Sequence, residues 1–411
     1  MDFAIITEIF QQMESTTKRT ELTSLLVKLI KSTPNELIAK AVYLLQGILK
    51  PSFEGLELGI AEKLAIRAIA KSSGISIKKI QNEYNIGGDL GETAANILKL
   101  KTQTTFIVEP ITLERVYETL LKIANLEGRG SQDLKIKYIS SLLNDATPTE
   151  GKFVLKILLG VLRLGIAENT VMDALAITFT GRKENRTQIE DAYNVSSDLG
   201  KISEIIASQG IDGLKKFKIA LFNPIRPMLA DRVISEEEAI KKISNKFAAE
   251  YKLDGERVQI HKKDNKIILF SRSLEKITQY YPDIVENIGK SLNTKEGIFE
   301  AEIVAINENT GDFLPFQELM HRRRKNKLEK AVQEYPITVN FFDVLYLNGE
   351  NCLVLPYQRR RKIIEEVVSE DKLSKLIPMT IVETENDVRD VLENSINSGC
   401  EGLMLKVLDA P

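Results

Sequence analysis

Lys252 opens the string Lys252-Leu253-Asp254-Gly255-Glu256-Arg257, a lysine set just before an Asp-Gly turn with an arginine just after it. An amine that serves as a nucleophile must be partly deprotonated and rigidly held, and a neighbouring cation helps on the first count. The bland alternative is a surface hairpin with ordinary salt-bridging charges. Downstream, "IFEAEIVAI" at 298–306 sets Glu300 and Glu302 on one face of a strand, a carboxylate pair suited to a divalent ion or a ribose, or else two exposed glutamates on a half-wet strand. In "NFFDVLYLNG" at 340–349, Phe342 is either core or one side of a sandwich around a purine. "GCEGLMLKVL" at 399–408 supplies Glu401 at a strand start and Lys406 on the opposite parity, unless the strand bends between them. The run "HRRRKNK" at 321–327 is a solvated helix face or part of a phosphate-backbone track.

Something must hold these side chains in place. Short runs rich in β-branched and aromatic residues at 246–250, 257–262, 267–272, 298–306, 337–347 and 401–408 predict strands, with helical stretches at 313–334 and 356–369. That pattern describes an α+β domain built on antiparallel sheets. Ahead of it, "LFNPIRPMLADRV" at 221–233 reads as an extended linker. The first half is helical, with apolar residues at three- and four-residue spacing. It also repeats: "LIKSTPNE" at 29–36 returns as "LLNDATPTE" at 142–150, "LELGIAE" at 56–62 as "LRLGIAE" at 162–168, and "YNIGGDLG" at 84–91 as "YNVSSDLG" at 193–200. The expected fold class is therefore multidomain: an all-α duplicated unit at 1–215, a linker at 216–233 and an incomplete α+β domain at 234–411. Glycines near helix starts, Gly59, Gly87, Gly88, Gly91, Gly165 and Gly200, predict uncovered N–H groups able to hold two stretches of phosphate backbone, and "EGRGSQDLKIK" at 127–137 adds a basic turn. Without that chemistry the helical half reads as an interaction scaffold.

Composition narrows the classes further. At 411 residues the chain needs two or three domains, and 43% hydrophobic with 28% charged residues is the balance of a soluble globular protein. Neither a membrane span nor a secretory signal is indicated. Two cysteines and two histidines cannot build a disulfide framework and offer no convincing zinc cluster, so any metal is expected to be a hard cation held by carboxylates and phosphate. The net charge of −2 decides little, because nucleic-acid binding needs only a local basic patch.

Taken in order, the motifs resemble the covalent nucleotidyltransferase superfamily of polynucleotide ligases and capping enzymes, and across nearly the whole chain the ATP-dependent DNA ligases of archaeal and eukaryotic replicative type. The resemblance implies that Lys252 is the adenylated lysine, Glu250 reads the adenine amino group, Arg257 and Arg272 of "FSRSLE" bind ribose and phosphate, and Phe342 stacks on adenine. It implies that Glu302 and Glu401 serve ribose and metal and that Lys406 approaches the α-phosphate, with ATP as nucleotide donor and Mg²⁺, or Mn²⁺, as the ion. The family more often has Asp-Gly-Glu where Glu300-Ala301-Glu302 stands here. "RPMLA" at 226–230 matches its linker, and the helical half is expected to embrace nicked double-stranded DNA as a monomer.

A Trp-x-Lys-x-Lys-like strand and an OB-fold domain are expected beyond "KVLDAP", so the chain is expected to be a truncated piece with impaired sealing. Gln103 with Phe106-Ile107 resembles a sliding-clamp-binding segment, or is an apolar tether. An archaeal owner implies the cytoplasm, a eukaryotic one the nucleus. RNA ligases and capping enzymes share the lysine motif but do not predict the helical duplication. A duplex-DNA-binding scaffold without ligase activity is the nonenzymatic alternative.

Overall fold

Among the described residues, the apolar spacing of the first half becomes twelve α-helices. They are α1 (Phe3–Glu14), α2 (Arg19–Ser32), α3 (Ile38–Leu45), α4 (Glu62–Ser73), α5 (Ile77–Gly87), α6 (Leu90–Lys99), α7 (Leu113–Ala124), α8 (Ser131–Asp145), α9 (Pro148–Leu158), α10 (Glu168–Thr180), α11 (Arg186–Ser196) and α12 (Leu199–Gln209). The computed structural model describes residues 1–101, 109–243, 246–307, 310–324 and 328–411, so the Gln103–Ile107 segment lies outside the described residues. By contacts the chain divides into Met1–Lys218 and Ile219–Pro411. Among the described residues no helix is long and apolar enough to cross a membrane.

In the first unit the sequence echoes fall at matching joints. Thr33-Pro34 and Thr147-Pro148 lead into α3 and α9, the Leu-Gly-Ile-Ala-Glu strings enter α4 and α10, and the Tyr-Asn…Asp-Leu-Gly strings bridge α5 to α6 and α11 to α12. Packing is exchanged between the halves: α6 lies on α9 and α12 on α3, while α4 lies on α8 and α10 on α2.

Gly91 and Gly200 make the first pair of contacts possible. A Cβ on Gly91 would meet the Lys152 carbonyl oxygen at 2.9 Å, and one on Gly200 would run into the Tyr43 ring. Contrary to the expectation of uncovered N–H groups, the amides at these helix starts are not open anion sites. Asp89 accepts the Glu92 N–H at 3.0 Å and pairs with Lys156 at 3.1 Å; Asp198 accepts the Lys201 N–H at 2.8 Å and the Tyr43 hydroxyl at 2.7 Å. Gly59 and Gly165 are different, with φ of 55° and 68° and open space around them.

The second pair of contacts carries ion pairs. Arg19 on α2 meets Asp173 on α10 at 2.8 Å, and Arg67 on α4 meets Asp133 on α8 at 3.5 Å. An offset of 114 residues aligns Arg19 with Asp133, and one of 106 aligns Arg67 with Asp173. The two halves thus hold equivalent bridges with the charges reversed.

The second unit is built from β1 (Phe247–Lys252), β2 (Glu256–Lys263), β3 (Lys266–Ser271), β4 (Glu296–Ala305), β5 (Ile337–Leu347), β6 (Glu350–Asn351), β7 (Ser374–Leu376), β8 (Met379–Val382) and β9 (Gly402–Val407). One sheet runs β8-β1-β9; the other runs β3-β2-β4-β5-β6, with β7 joined parallel to β5. Every other described pairing between these strands is antiparallel. Alternation decides the faces of the larger sheet: Val258, Ile260, Phe299, Ala301, Ile303, Val339 and Phe341 turn into one core against the helices Pro282–Ser291 and Tyr357–Val367.

The stretch 313–334 forms two helices, Phe316–Arg324 and Leu328–Glu334. Within its basic run Arg322 is fully buried, paired with Asp283 and donating to the Tyr335 carbonyl oxygen at 3.1 Å. It belongs neither to a solvated face nor to a phosphate track, because its guanidinium is buried inside the fold.

Candidate active site

β1 and β2 belong to different sheets, and the Asp254–Gly255 turn carries the chain from one to the other. Gly255 is needed there, since a Cβ would be driven against the Ile303 carbonyl oxygen, which cannot give way. Asp254 accepts the Phe316 N–H at 3.1 Å and ties the turn to the start of the helix Phe316–Arg324. Lys252 is therefore the last residue of a fixed strand, half-exposed, at the point where two sheets meet.

Register supplies its neighbours. Glu250 and Lys252 share one face of β1, and pairing with β9 brings Lys406 to that face because Ala248 stands opposite Lys406 and Glu250 opposite Met404. Glu250 is almost fully buried, accepts the Tyr357 hydroxyl at 2.5 Å and pairs with Lys406 at 2.6 Å, with Arg361 at 3.7 Å. Burial, then the Glu250 charge, pushes the Tyr357 hydroxyl well above its usual range. Glu401 precedes β9, and its N–H donates to the Lys252 carbonyl oxygen at 2.8 Å while its carboxylate pairs with the Lys252 amine. Strand parity does not separate Glu401 from Lys406: Glu401 lies before Gly402, whose φ of 149° turns the chain into the strand.

The larger sheet contributes the opposite wall. Arg257 pairs across the strands with Glu302, and Glu300 lies on the same face. Next to them β5 bulges between its partners for Glu300 and Ala301, which leaves both Phe342 and Asp343 on the site side while Phe341 and Val344 stay in the core. The Phe342 ring carries the Arg257 guanidinium at 5.4 Å and the Lys406 amine at 5.0 Å. Burial alone would lower the Arg257 pKa, but Glu300 at 2.7 Å more than offsets it and the net direction is upward. Arg272 follows β3 and lines a pocket with Arg257, Gln259, Glu300 and Pro227.

The two glutamates of β4 turn out unequal. Glu300 is buried and committed to Arg257 and to Gln259 at 2.8 Å, so the pair does not offer two carboxylates to one ion. Glu302 makes no side-chain hydrogen bond or ion pair among the described residues, and burial pushes its carboxyl up to about 8 against the pull of Arg257. A half-buried carboxylate without a side-chain partner is suited to a cation. Among the described residues no group of three or more His, Cys, Asp or Glu forms a cage, so an ion here would need oxygens from its substrate.

Seven of the expected residues, Lys252, Glu250, Arg257, Glu302, Phe342, Glu401 and Lys406, thus converge on one junction, with Arg272 on the adjoining pocket. Tyr357 and Arg361 were missed; their four-residue spacing on one helix face was the available signal. Gln259 and His261 were missed too, although they alternate with Arg257 along β2.

Two largely antiparallel sheets that meet at a lysine, with Arg257 and Lys406 over the ring of Phe342 nearby, form a nucleotidyltransferase architecture. Residues 227–411 match the family model described as ATP dependent DNA ligase domain, and residues 2–176 match that of the DNA ligase N terminus. The DNA ligase of Nitrosopumilus maritimus (strain SCM1) is 67% identical over all of this chain, which spans 70% of that protein. That of Cenarchaeum symbiosum (strain A) is 58% identical with the same coverage. The solved chain Pmar-Lig_Pre. shares the fold, with a TM-score of 0.55 at 15% identity over 98% of this chain and 74% of its own. The chain belongs to the ATP-dependent DNA ligases, and DNA is its partner.

Proposed function

We propose that Lys252 is the residue that carries AMP in the ligase reaction. The observation behind this is the pairing of its amine with Glu401, with Lys406 on the same face of the smaller sheet and Glu302 of the larger sheet close enough to feel the Lys252 charge. The Lys252 amine, having given up a proton, attacks the α-phosphorus of ATP; a P–N bond forms, the bond to the β-phosphate oxygen breaks and pyrophosphate leaves. The AMP then passes to the 5′-phosphate at a nick, and the 3′-hydroxyl displaces it to close the backbone.

Phe342 stacks on the adenine, Glu250 receives its amino group, and Arg257 and Arg272 hold ribose and phosphate. Lys406, on the face shared with Lys252, meets the α-phosphate. Glu302 and Glu401 fit a divalent ion, Mg²⁺ or Mn²⁺, which when bound would stabilise charge growing on phosphoryl oxygens. The preferred DNA is nicked duplex held through its backbone, because nothing in the chain resembles a base-reading device. The protein acts as a monomer in the cytoplasm of an archaeal cell, a reading supported by the archaeal source of its relatives. Clamp binding through Phe106 belongs to the same proposal and is checked by clamp affinity in Phe106→Ala.

The decisive experiment is mass spectrometry of the chain after incubation with ATP and Mg²⁺. An added AMP on the unaltered chain and none on Lys252→Ala is expected; an adduct that survives Lys252→Ala removes the assignment.

A further inference from the structure

The face of β2 that carries Arg257 continues through Gln259 and His261, both buried and neither needed for the chemistry above. Their hydrogen bonds admit one orientation only. The Phe222 N–H donates to His261 Nδ1 at 2.9 Å, so the ring proton sits on Nε2 and donates to Gln259 Oε1 at 2.8 Å. That oxygen also accepts the Ile225 N–H at 2.8 Å. Gln259 Nε2 donates to the Ile225 carbonyl oxygen at 3.0 Å and to Glu300 Oε1 at 2.8 Å, and Glu300 Oε2 accepts from Arg257 Nε at 2.7 Å. Flipping the Gln259 amide would oppose donor to donor and acceptor to acceptor at every one of these contacts.

The far end of this relay is the segment 219–227, where the chain enters the second unit. It is held down by Ile219, Leu221 and Ile225 against Ile298, Leu345 and Tyr346. Phe222 sits at φ 69°, a conformation costly for a bulky residue that persists only where its surroundings enforce it. Its N–H is held by His261, and Lys266 lies 4.3 Å from its ring centroid. Ile225 and Pro227 line the same pocket as Arg257, Arg272 and Glu300.

We propose that Gln259 and His261 are positioning residues through which the docked segment 219–227 aims Arg257 at the nucleotide. With the segment seated, Gln259 fixes Glu300 and Glu300 fixes the guanidinium beside Phe342; with it lifted, Glu300 loses a partner and Arg257 its aim. The coupling is reciprocal, so a nucleotide held by Arg257 tightens the segment. This rests on Arg257 being a nucleotide contact.

Two measurements on the full chain test it. Hydrogen exchange at the Phe222 and Ile225 amides is read with and without α,β-methylene-ATP, which cannot be cleaved. Nucleotide is expected to slow both amides about tenfold in the unaltered chain and not in Arg257→Ala. Unchanged exchange in a chain that still forms its Lys252 adduct overturns the proposal. The second measurement is the rate of adduct formation at saturating ATP in Gln259→Leu, Arg257→Ala and the double variant. Gln259→Leu is expected to slow the step about tenfold alone and not at all on top of Arg257→Ala. Losses that multiply in the double variant mean that Gln259 acts elsewhere and overturn the proposal. Absence of any adduct on the unaltered chain sinks the site assignment itself, and this inference with it.

Discussion

His261 shows what a single buried side chain imposes. Burial holds its imidazole neutral, with the pKa pushed down to about 3, whereas an unfolded histidine titrates near 6.5. Below about 6.5 the unfolded chain takes up a proton that the folded one refuses. This group's stability is therefore complete above that pH and drains away, by up to about 1.4 kcal/mol per pH unit, as pH falls toward about 3. Urea unfolding at pH 7, 6 and 5 should show a shallower loss in His261→Gln than in the unaltered chain. For Phe342→Ala we expect ATP affinity about tenfold weaker, with Phe342→Tyr close to unaltered, read as the ATP concentration giving half-maximal adduct rate. The sequence announced Lys252, Phe342 and the shared face of Glu300 and Glu302, because residue type and a period of two are local properties. It did not announce that Glu300 is tied to Arg257 while Glu302 is left without a partner, because that depends on Gln259 from the neighbouring strand.

Among the elements, the turn between the two sheets is held against backbone at Gly255. Gly255→Ala places a methyl group against the Ile303 backbone, and we expect it to cost about 2 kcal/mol in denaturant unfolding and to slow adduct formation. β5 was legible end to end from its β-branched and aromatic run, but its bulge was not, since a bulge exists only relative to the strand beside it. The helices Pro282–Ser291 and Glu385–Asn397 went unread although Ile284 and Ile288, and Val388 and Val391, repeat at helical spacing. Each carries few apolar residues, and its neighbours supply the rest of the core. The helical-half glycines misled for a related reason: Gly91 and Gly200 serve close packing against a helix from the other half, which no local window shows.

At the scale of the whole molecule, a net charge of −2 gives no hint of DNA, yet DNA affinity should fall steeply with salt if backbone contacts dominate. Titration of a nicked duplex at 50 and 200 mM salt should show a loss of about tenfold or more; a flat response would point to contacts other than phosphate. The duplication was legible because its joints kept their residues, whereas the exchange of helices between halves was not. That exchange raises a problem of self-recognition, since two copies of one helical unit offer each helix a correct partner and a related wrong one. The reversed bridges answer it: pairing within a half would set Arg19 beside Arg67 and Asp133 beside Asp173, whereas pairing across halves sets each against its opposite. In a duplicated sequence whose two copies could compete for the same partner, these four charges favour pairing across the copies over pairing within one.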